Sequence, residues 1–273
     1  MRVACIQINS GNDMKDNLKK TSMLCKQAAK SGAKFILTPE NVALMAADGH
    51  DLHEKSYSEQ KHPALAFFCK LAKEIECWIL VGSIAVKSEK DNDKLHNRSF
   101  LINDMGKVVE HYDKIHLYDV EVQGGERHNE SNNFLHGSFL KMAETPWGKL
   151  GMTVCYDVRF PHIYRALAKH GADFIAVPSA FTKFTGQAHW ETLLRARAIE
   201  NGCYILAPAQ TGSHPAGRKT HGHSMIIDPW GEILAKAGEE EGFIIAEIDK
   251  NNVHKTRASL PSLQHDRDFT HNN

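Results

Sequence analysis

The chain has 273 residues, and its 33 lysines and arginines balance its 33 aspartates and glutamates. Zero net charge argues against a broad electrostatic attraction to nucleic acid or to an anionic membrane, so we expect neither as a partner. No apolar run is long enough to span a membrane, and residues 1–8 are too short and too alternating for a signal peptide. We therefore expect a cytoplasmic protein.

Helix and strand periods alternate along the chain. Met14, Leu18 and Cys25 share one helical face, and a short apolar run ending at Leu37 predicts a buried strand. The remaining helices are predicted from Pro63, from Pro161 to Gly171, and over residues 188–200. The remaining strands are predicted over residues 78–84, 99–102, 107–112, 149–154, 224–227, 233–235 and 243–248.

The two halves of the chain resemble each other. Residues 32–39 (GAKFILTP) match residues 171–178 (GADFIAVP), and residues 77–80 (CWIL) match residues 203–206 (CYIL). This order predicts two packed half-sheets with helices on both outer faces, an α/β protein with a four-layer αββα sandwich. The alternative is that glycine, alanine and an apolar pair merely form a common junction between helix and strand. No linker divides the chain, so we expect one domain over residues 1–273, with a tail from about 251 to 273 at an interface.

The six cysteines form no C-x-x-C pair, and most are expected to be free thiols in the core. Histidine pairs at His50 and His53, and at His221 and His223, have no cysteine or carboxylate partner at a familiar metal-ligand spacing. We expect no metal and no organic cofactor.

Cys155 differs from the other cysteines because it lies between a predicted strand and a helix beginning at Pro161. A residue at such a turn is expected to be exposed above the sheet, beside backbone N–H groups that favour a thiolate. The alternative is an ordinary buried cysteine, since free cysteine is among the most buried residue types.

Two further residues could complete a reaction centre. Glu40 follows a predicted strand, so its carboxylate would project from the sheet edge as a general base. Lys114 follows another predicted strand and could stabilise an oxyanion. Each is alone a weak signal, because a glutamate after proline often opens a helix and a lysine in a loop is usually solvated.

Together, the segments around these residues resemble the nitrilase superfamily, and specifically its Nit-type branch. The motifs are Thr38-Pro39-Glu40, Tyr112-x-Lys114-x-His116-Leu117 and Val154-Cys155-Tyr156-Asp157-x-Arg159-Phe160-Pro161. The resemblance continues through residues 178–181, 189–191, 195–200 and 222–231, and covers nearly the whole chain. It implies an αββα sandwich that pairs as αββααββα in a homodimer.

The resemblance also implies roles for particular residues. Glu40, Lys114 and Cys155 would be the catalytic base, oxyanion cation and nucleophile, with the Tyr156 backbone N–H as a second oxyanion donor. Glu130, with Phe134 and Gly137, fits the family's pattern for a second active-site glutamate, although Glu126 and Glu121 are close alternatives. The residues expected to contact substrate are Arg159, Phe181 and His189, with Arg159 holding a carboxylate.

The expected reaction is hydrolysis of a small carboxylate-bearing carboxamide to an acid and ammonia through a thioester, with deaminated glutathione as the expected substrate. Alternatives are an ω-amidase acting on 2-oxoglutaramate, which typically has Pro-Gly-Ala-Phe where this chain has Pro178-Ser179-Ala180-Phe181, and an acyltransferase on the same fold. A cysteine–histidine hydrolase is a further alternative because His116, His162 and His189 lie near the motifs. A non-catalytic scaffold would have no need of all three catalytic groups.

Overall fold

A computed structural model of the chain describes residues 1–122 and 127–270. The helices are α1 (Met14–Lys30), α2 (Gly49–Glu54), α3 (Pro63–Ile75), α4 (Pro161–Lys169), α5 (Lys183–Asn201) and α6 (Lys250–Ser259). The first nine strands are β1 (Arg2–Gln7), β2 (Phe35–Leu37), β3 (Trp78–Lys87), β4 (Leu95–Ile102), β5 (Val108–Asp113), β6 (Asp119–Glu121), β7 (Arg127–Asn129), β8 (Phe134–Leu135) and β9 (Lys141–Thr145). The others are β10 (Gly148–Met152), β11 (Phe174–Ala176), β12 (Tyr204–Ala207), β13 (Thr211–Ser213), β14 (Lys219–His221), β15 (Met225–Ile227), β16 (Ile233–Lys236) and β17 (Gly242–Glu247).

Two mixed sheets form the centre of the fold. The first has the order β17-β1-β2-β3-β4-β5, with β8 paired to β4, and the second has the order β16-β15-β12-β11-β10-β9. Side chains of β1 show how the sheets are layered. Val3 and Cys5 point into the core shared with the second sheet, whereas Ala4 and Ile6 pack with residues of α1 and α3. Helices α4 and α5 cover the outer face of the second sheet, which completes the predicted αββα sandwich.

The predicted likeness between the two halves extends to the pairing of the strands. β1, β2 and β3 are parallel, and so are β10, β11 and β12. Each set continues into an antiparallel strand, β4 in the first sheet and β15 in the second. Gly32 and Gly171 occupy matching positions after α1 and α4, with φ angles of 91° and 95°. Since L side chains rarely adopt this backbone conformation, glycine suits both helix ends.

The predicted helix over residues 188–200 was too short at its start, because α5 begins at Lys183. The first turn was not predicted because it contains Gly186, and glycine is unfavourable inside a helix. The structure explains its presence there. A Cβ atom at Gly186 would lie 2.4 Å from the Cβ atom of His221, so only glycine lets α5 approach β14 so closely.

The tail was expected at an interface, and its described part contacts this chain's own helices. Val253 of α6 is buried in the main core. Beyond α6, Asp266 forms ion pairs with Arg165 and Lys169 of α4. A partner covering this surface stays a prediction, as does the single-domain boundary. Within the described residues, none of the helices combines the length and the apolar character needed to cross a membrane.

Candidate active site

Cys155 lies at a sharp turn between β10 and α4. Its φ angle is 48°, and it opens a 3-10 turn that covers Cys155–Arg159. This left-handed conformation is uncommon for a residue other than glycine and is concentrated at functional sites. Its N–H donates a hydrogen bond to the Pro178 carbonyl at 2.9 Å, which ties the turn to the end of the neighbouring strand β11.

The Asp157 carboxylate holds this turn in place. It accepts hydrogen bonds from the Val154 N–H at 2.8 Å and from the Tyr112 hydroxyl at 2.7 Å. It also accepts from the N–H of His116 at 3.1 Å, and His116 Nδ1 lies 2.7 Å from the same oxygen. Asp157 is fully buried, so these contacts satisfy a charge that would otherwise be costly to bury. They join the turn carrying Cys155 to the segment that carries Lys114.

Glu40 projects from the end of β2 toward Cys155 because the chain passes very close to β3. A Cβ atom at Gly82 would lie 2.0 Å from the Thr38 carbonyl oxygen, so glycine is required on β3 at this point. Immediately after Glu40, Asn41 adopts a left-handed φ angle of 56° and donates from its N–H to the Ser83 hydroxyl. This tight course directs the carboxylate toward Lys114 and the Ala180 N–H.

Three donors hold the Glu40 carboxylate, and two of them also contact the neighbouring Glu130. Glu40 Oε1 accepts from Lys114 Nζ at 2.9 Å and from Asn97 Nδ2 at 3.0 Å, and Oε2 accepts from the Ala180 N–H at 2.8 Å. Lys114 Nζ also lies 2.8 Å from Glu130 Oε2, and Asn97 Nδ2 lies 2.9 Å from Glu130 Oε1. Lys114 and Asn97 therefore bridge two carboxylates and hold them in fixed positions.

The backbone of Lys114 is held by a close approach at Gly137. The Gly137 N–H donates to the Lys114 carbonyl at 2.8 Å, and a Cβ atom at Gly137 would lie 2.1 Å from the Asp113 carbonyl oxygen. This gives a physical reason for the glycine in the pattern that contains Glu130 and Phe134, because a larger residue would push the Lys114 segment away.

The charges around Glu40 keep it ionised. Burial raises the pKa of the Glu40 carboxyl, but the positive charges of Lys114 and Arg218, with the hydrogen bond from Lys114, outweigh it, and the net pKa lies below the usual value. For Lys114, burial lowers the pKa, and the negative charges of Glu130 and Glu40 raise it well above its usual value. A buried ammonium group thus faces a buried carboxylate.

The Cys155 thiol is in the opposite state from the one expected. Burial and the negative charge of Glu40 raise its pKa well above the usual value, although Lys114 and a backbone contact at Ala180 act in the opposite direction. The side chain is also buried, with 7% exposure, instead of standing free above the sheet. The resting site therefore combines a neutral thiol with an ionised carboxylate, and the backbone N–H groups do not by themselves produce a thiolate.

A cavity of about 420 Å³ opens onto these groups. Six of the residues predicted for the site line it: Glu40, Lys114, Glu130, Cys155, Tyr156 and Phe181. Tyr156 is the second residue of the 3-10 turn, where backbone N–H groups have no partner within the helix. Of the alternatives to Glu130, Glu121 lies exposed at the end of β6, and Glu126 is outside the described residues.

The two other predicted substrate contacts do not line this cavity. Arg159 Nη1 lies 3.2 Å from His189 Nδ1, and His189 is exposed on α5. The Arg159 guanidinium carbon stands 5.1 Å from the centre of the Phe181 ring, whose side chain does reach the cavity. A carboxylate-binding role for Arg159 stays a prediction, and in this structure its side chain packs against the cavity wall.

Sequence reasoning missed two polar residues of the site. Asn97 lies inside β4, one residue before an ion-paired Arg98, and no motif distinguishes it. Arg218 follows a turn at Pro215 and Gly217, where a basic residue is typically solvated, yet it lines the cavity. Asn97 shares the buried face of β4 with Leu95 and Ser99, and this strand alternation is the one signal that could have singled it out.

The carbon–nitrogen hydrolase family profile matches residues 2–258, and the chain belongs to this family, within the nitrilase superfamily. It is 41% identical to a protein of Yersinia enterocolitica named deaminated glutathione amidase, over 97% of this chain and 92% of that protein. Among solved structures, the Caenorhabditis elegans NitFhit protein superposes with a TM-score of 0.91 at 34% identity. The match covers 97% of this chain and 65% of NitFhit. Nit3 of Saccharomyces cerevisiae, a member of branch 10 of the nitrilase superfamily, superposes with a TM-score of 0.86 at 28% identity, over 96% of this chain and 94% of Nit3. The chain is thus a hydrolase of carbon–nitrogen bonds in amides.

Proposed function

We propose that Glu40, Lys114 and Cys155 carry out amide hydrolysis through a thioester on Cys155. The observation that carries this proposal is the ion pair between Lys114 Nζ and Glu40 Oε1 at 2.9 Å, buried beside the thiol on the wall of one cavity. A base, a cation and a nucleophile that face a common space are what acyl transfer needs.

In the first half of the reaction, Glu40 takes the proton from the Cys155 thiol as sulfur attacks the amide carbon. Proton transfer has to accompany attack, since the thiol pKa is raised and the carboxyl pKa is lowered in the resting site. The oxyanion that develops is stabilised by Lys114 and by the Tyr156 N–H. Glu40 then returns the proton to the leaving nitrogen, the carbon–nitrogen bond breaks, and the acyl group remains on sulfur.

In the second half, Glu40 takes a proton from water, and the hydroxide attacks the thioester carbon. The tetrahedral intermediate collapses to a carboxylic acid, and the departing sulfur of Cys155 recovers its proton from Glu40. Glu130 shares Lys114 and Asn97 with Glu40, so its proposed role is to hold the Lys114 ammonium in place.

We propose deaminated glutathione as the substrate, on the strength of the named relatives and the cavity volume of about 420 Å³. In this compound the amino group of glutathione is replaced by a keto oxygen, so the scissile bond joins a 2-oxoglutaryl group to the nitrogen of cysteinylglycine. Its hydrolysis would release that dipeptide, so the ammonia expected from the sequence is wrong for this substrate. Ammonia would come from a primary amide such as 2-oxoglutaramate. The identity of the leaving amine therefore separates the two substrates.

The experiment is a product assay with both compounds. Deaminated glutathione should yield cysteinylglycine with a kcat/KM at least ~10-fold above that for ammonia release from 2-oxoglutaramate. The reverse order would favour an ω-amidase, and release of neither product would contradict the proposed substrate class. Addition of an amine acceptor during turnover tests the acyltransferase alternative, because an acyltransferase would form a new amide.

We also propose a homodimer. Leu194 and Ala198 of α5 are buried within this chain, but Ile199 of the same helix is 45% exposed, and Leu260 beside it is 53% exposed. Exposed apolar side chains on α5 and beside it support pairing through this face. A mass of one subunit at micromolar concentration by light scattering would refute the dimer, and Ile199→Glu should shift a dimer toward monomer.

A cytoplasmic location is proposed on the basis of the cysteines. All six are free thiols, which suits a reducing compartment. Cell fractionation that found the protein in an oxidising compartment would contradict this.

A further inference from the structure

The backbone of Ala180 bridges Arg218 and the carboxylate of Glu40. Its Nη2 donates a hydrogen bond to the Ala180 carbonyl at 2.9 Å, and the N–H of the same Ala180 donates to Glu40 Oε2 at 2.8 Å. Arg218 also lines the cavity, in the segment between β13 and β14. A guanidinium group is thereby fixed to the wall next to the reacting groups.

No carboxylate lies within ion-pair distance of Arg218 in the described part of the chain, although its charge acts on Glu40 from farther away. The arginines at 98, 165 and 197 each form an ion pair with a carboxylate, but Arg218 has none within 4.0 Å among residues 1–122 and 127–270. Its Nε is buried and has no hydrogen-bond partner there. Holding a partly buried cation without a counter-ion is unfavourable, so an anion in the cavity would be stabilised by it.

The two other arginines near the site are less suited to binding an anion in the cavity. Arg159 is turned toward His189 and stacks on the Phe181 ring, outside the cavity lining. Arg127 lines the cavity, but it is exposed on β7, where a carboxylate would stay in contact with water. Of the cations that act on Glu40, Lys114 is held by Glu130, which leaves Arg218 as the one without a carboxylate partner among the described residues.

We propose that Arg218 binds a carboxylate on the acyl side of the substrate and so selects acids that carry a second carboxylate. This inference rests on the amidase function proposed above and extends it to a specificity residue. The planar guanidinium suits a carboxylate because it offers two parallel donors. An anchor beside Glu40 would hold the acyl group while it is attached to Cys155, in both halves of the reaction. A carboxylate in the leaving amine would have departed after the first half.

The test compares two primary amides of the same length and similar size. Glutaramate carries the acyl-side carboxylate, and its neutral isostere has an isopropyl group in place of that carboxylate. Arg218→Gln should raise KM for glutaramate by ~10- to 100-fold and change KM for the isostere by less than ~2-fold. Arg218→Lys should lose less, because it keeps the charge but not the planar fork. Lys219→Gln removes the neighbouring exposed cation and is the matched control, with KM unchanged on both amides.

Equal losses of Arg218→Gln on both amides would assign Arg218 to structure, through its bond to Ala180, and would overturn the proposal. A carboxylate-selective loss in Arg159→Gln with a normal Arg218→Gln would overturn it as well. A binding measurement tests the role of Arg218 independently of the proposed reaction. Glutarate should bind the Cys155→Ala protein by calorimetry, and adding Arg218→Gln should weaken that binding by ~10- to 100-fold, whether or not the wild type turns over glutaramate. Unchanged glutarate affinity would contradict the role of Arg218.

Discussion

Lys114 and Glu40 form an ion pair with 2.9 Å between Nζ and Oε1, and neither side chain is more than 3% exposed. Each partner of such a buried pair depends on the other, because removing one leaves an uncompensated buried charge. The same lysine also contacts Glu130, so one cation sits between two carboxylates. This arrangement favours an ionised carboxylate at Glu40 and a charged ammonium at Lys114.

The rate should stay high as the pH falls through the range in which histidine is protonated. Glu40 acts as a base only when it is ionised, and its lowered pKa keeps it ionised to a lower pH than an ordinary carboxyl group. In a kcat/KM profile, activity should fall only near or below the usual carboxyl range of about 4. A half-maximum near ~6.5 would instead indicate a histidine base, as in the cysteine–histidine alternative.

Lys114→Met should lower both the rate and the stability. Loss of one oxyanion donor should reduce kcat by at least ~10². The variant would also leave Glu40 and Glu130 buried without their shared cation, which should cost about 3–5 kcal/mol of unfolding free energy in urea titrations. The double variant Lys114→Met/Glu130→Gln should recover part of the stability but none of the rate. A single variant with the wild-type kcat would refute the role of Lys114.

Asp157→Asn should weaken the turn that carries Cys155. The amide group would replace one acceptor oxygen with a donor, which would leave a buried donor such as the Val154 N–H without a partner. We expect a loss of about 1–3 kcal/mol in unfolding free energy, together with a lower kcat. Tyr112→Phe is the milder comparison, because it removes one donor to Asp157 and the acceptor for the Ile115 N–H but leaves the Val154 bond intact. If both variants are as stable and active as the wild type, Asp157 does not hold the turn.

Iodoacetamide should label Cys155 faster than the four core cysteines at positions 5, 25, 77 and 203. Burial raises the pKa of all five thiols, so access decides the order: Cys155 lines the cavity, and none of the other four does. Cys69 is partly exposed and is a competitor that the sequence did not reveal. Substrate should therefore protect Cys155 but not Cys69 in peptide maps. Labelling of Cys25 or Cys203 before Cys155 would count against this assignment.

The sequence predicts the layers of the fold well because each layer has a local signature. The helical face of Met14, Leu18 and Cys25, and the three-residue buried strand before Thr38, have counterparts in the second half of the chain. The three motifs likewise single out Glu40, Lys114 and Cys155, which the structure places on one cavity, and their catalytic roles stay a proposal. Local periodicity and strand ends can be predicted from the amino-acid sequence alone.

The environment of these residues could not be predicted in the same way. Asn97 and Arg218 reach the site because β4 and the segment before β14 converge on Glu40. The residues next to them in the sequence do not predict this convergence. The side-chain direction of Arg159 depends on packing against Phe181, and the raised pKa of Cys155 depends on how deeply the turn is buried. Such properties arise only when distant segments pack together.

The central claim, that Cys155 carries the acyl group, is tested most directly by intact-protein mass spectrometry after rapid acid quench. Wild type mixed with deaminated glutathione should gain the mass of one 2-oxoglutaryl group, the adduct should map to the peptide containing Cys155, and hydroxylamine should remove it. Cys155→Ala should fold normally, show no adduct and release no cysteinylglycine. Turnover by Cys155→Ala, or an acyl group on any other residue, would contradict the account.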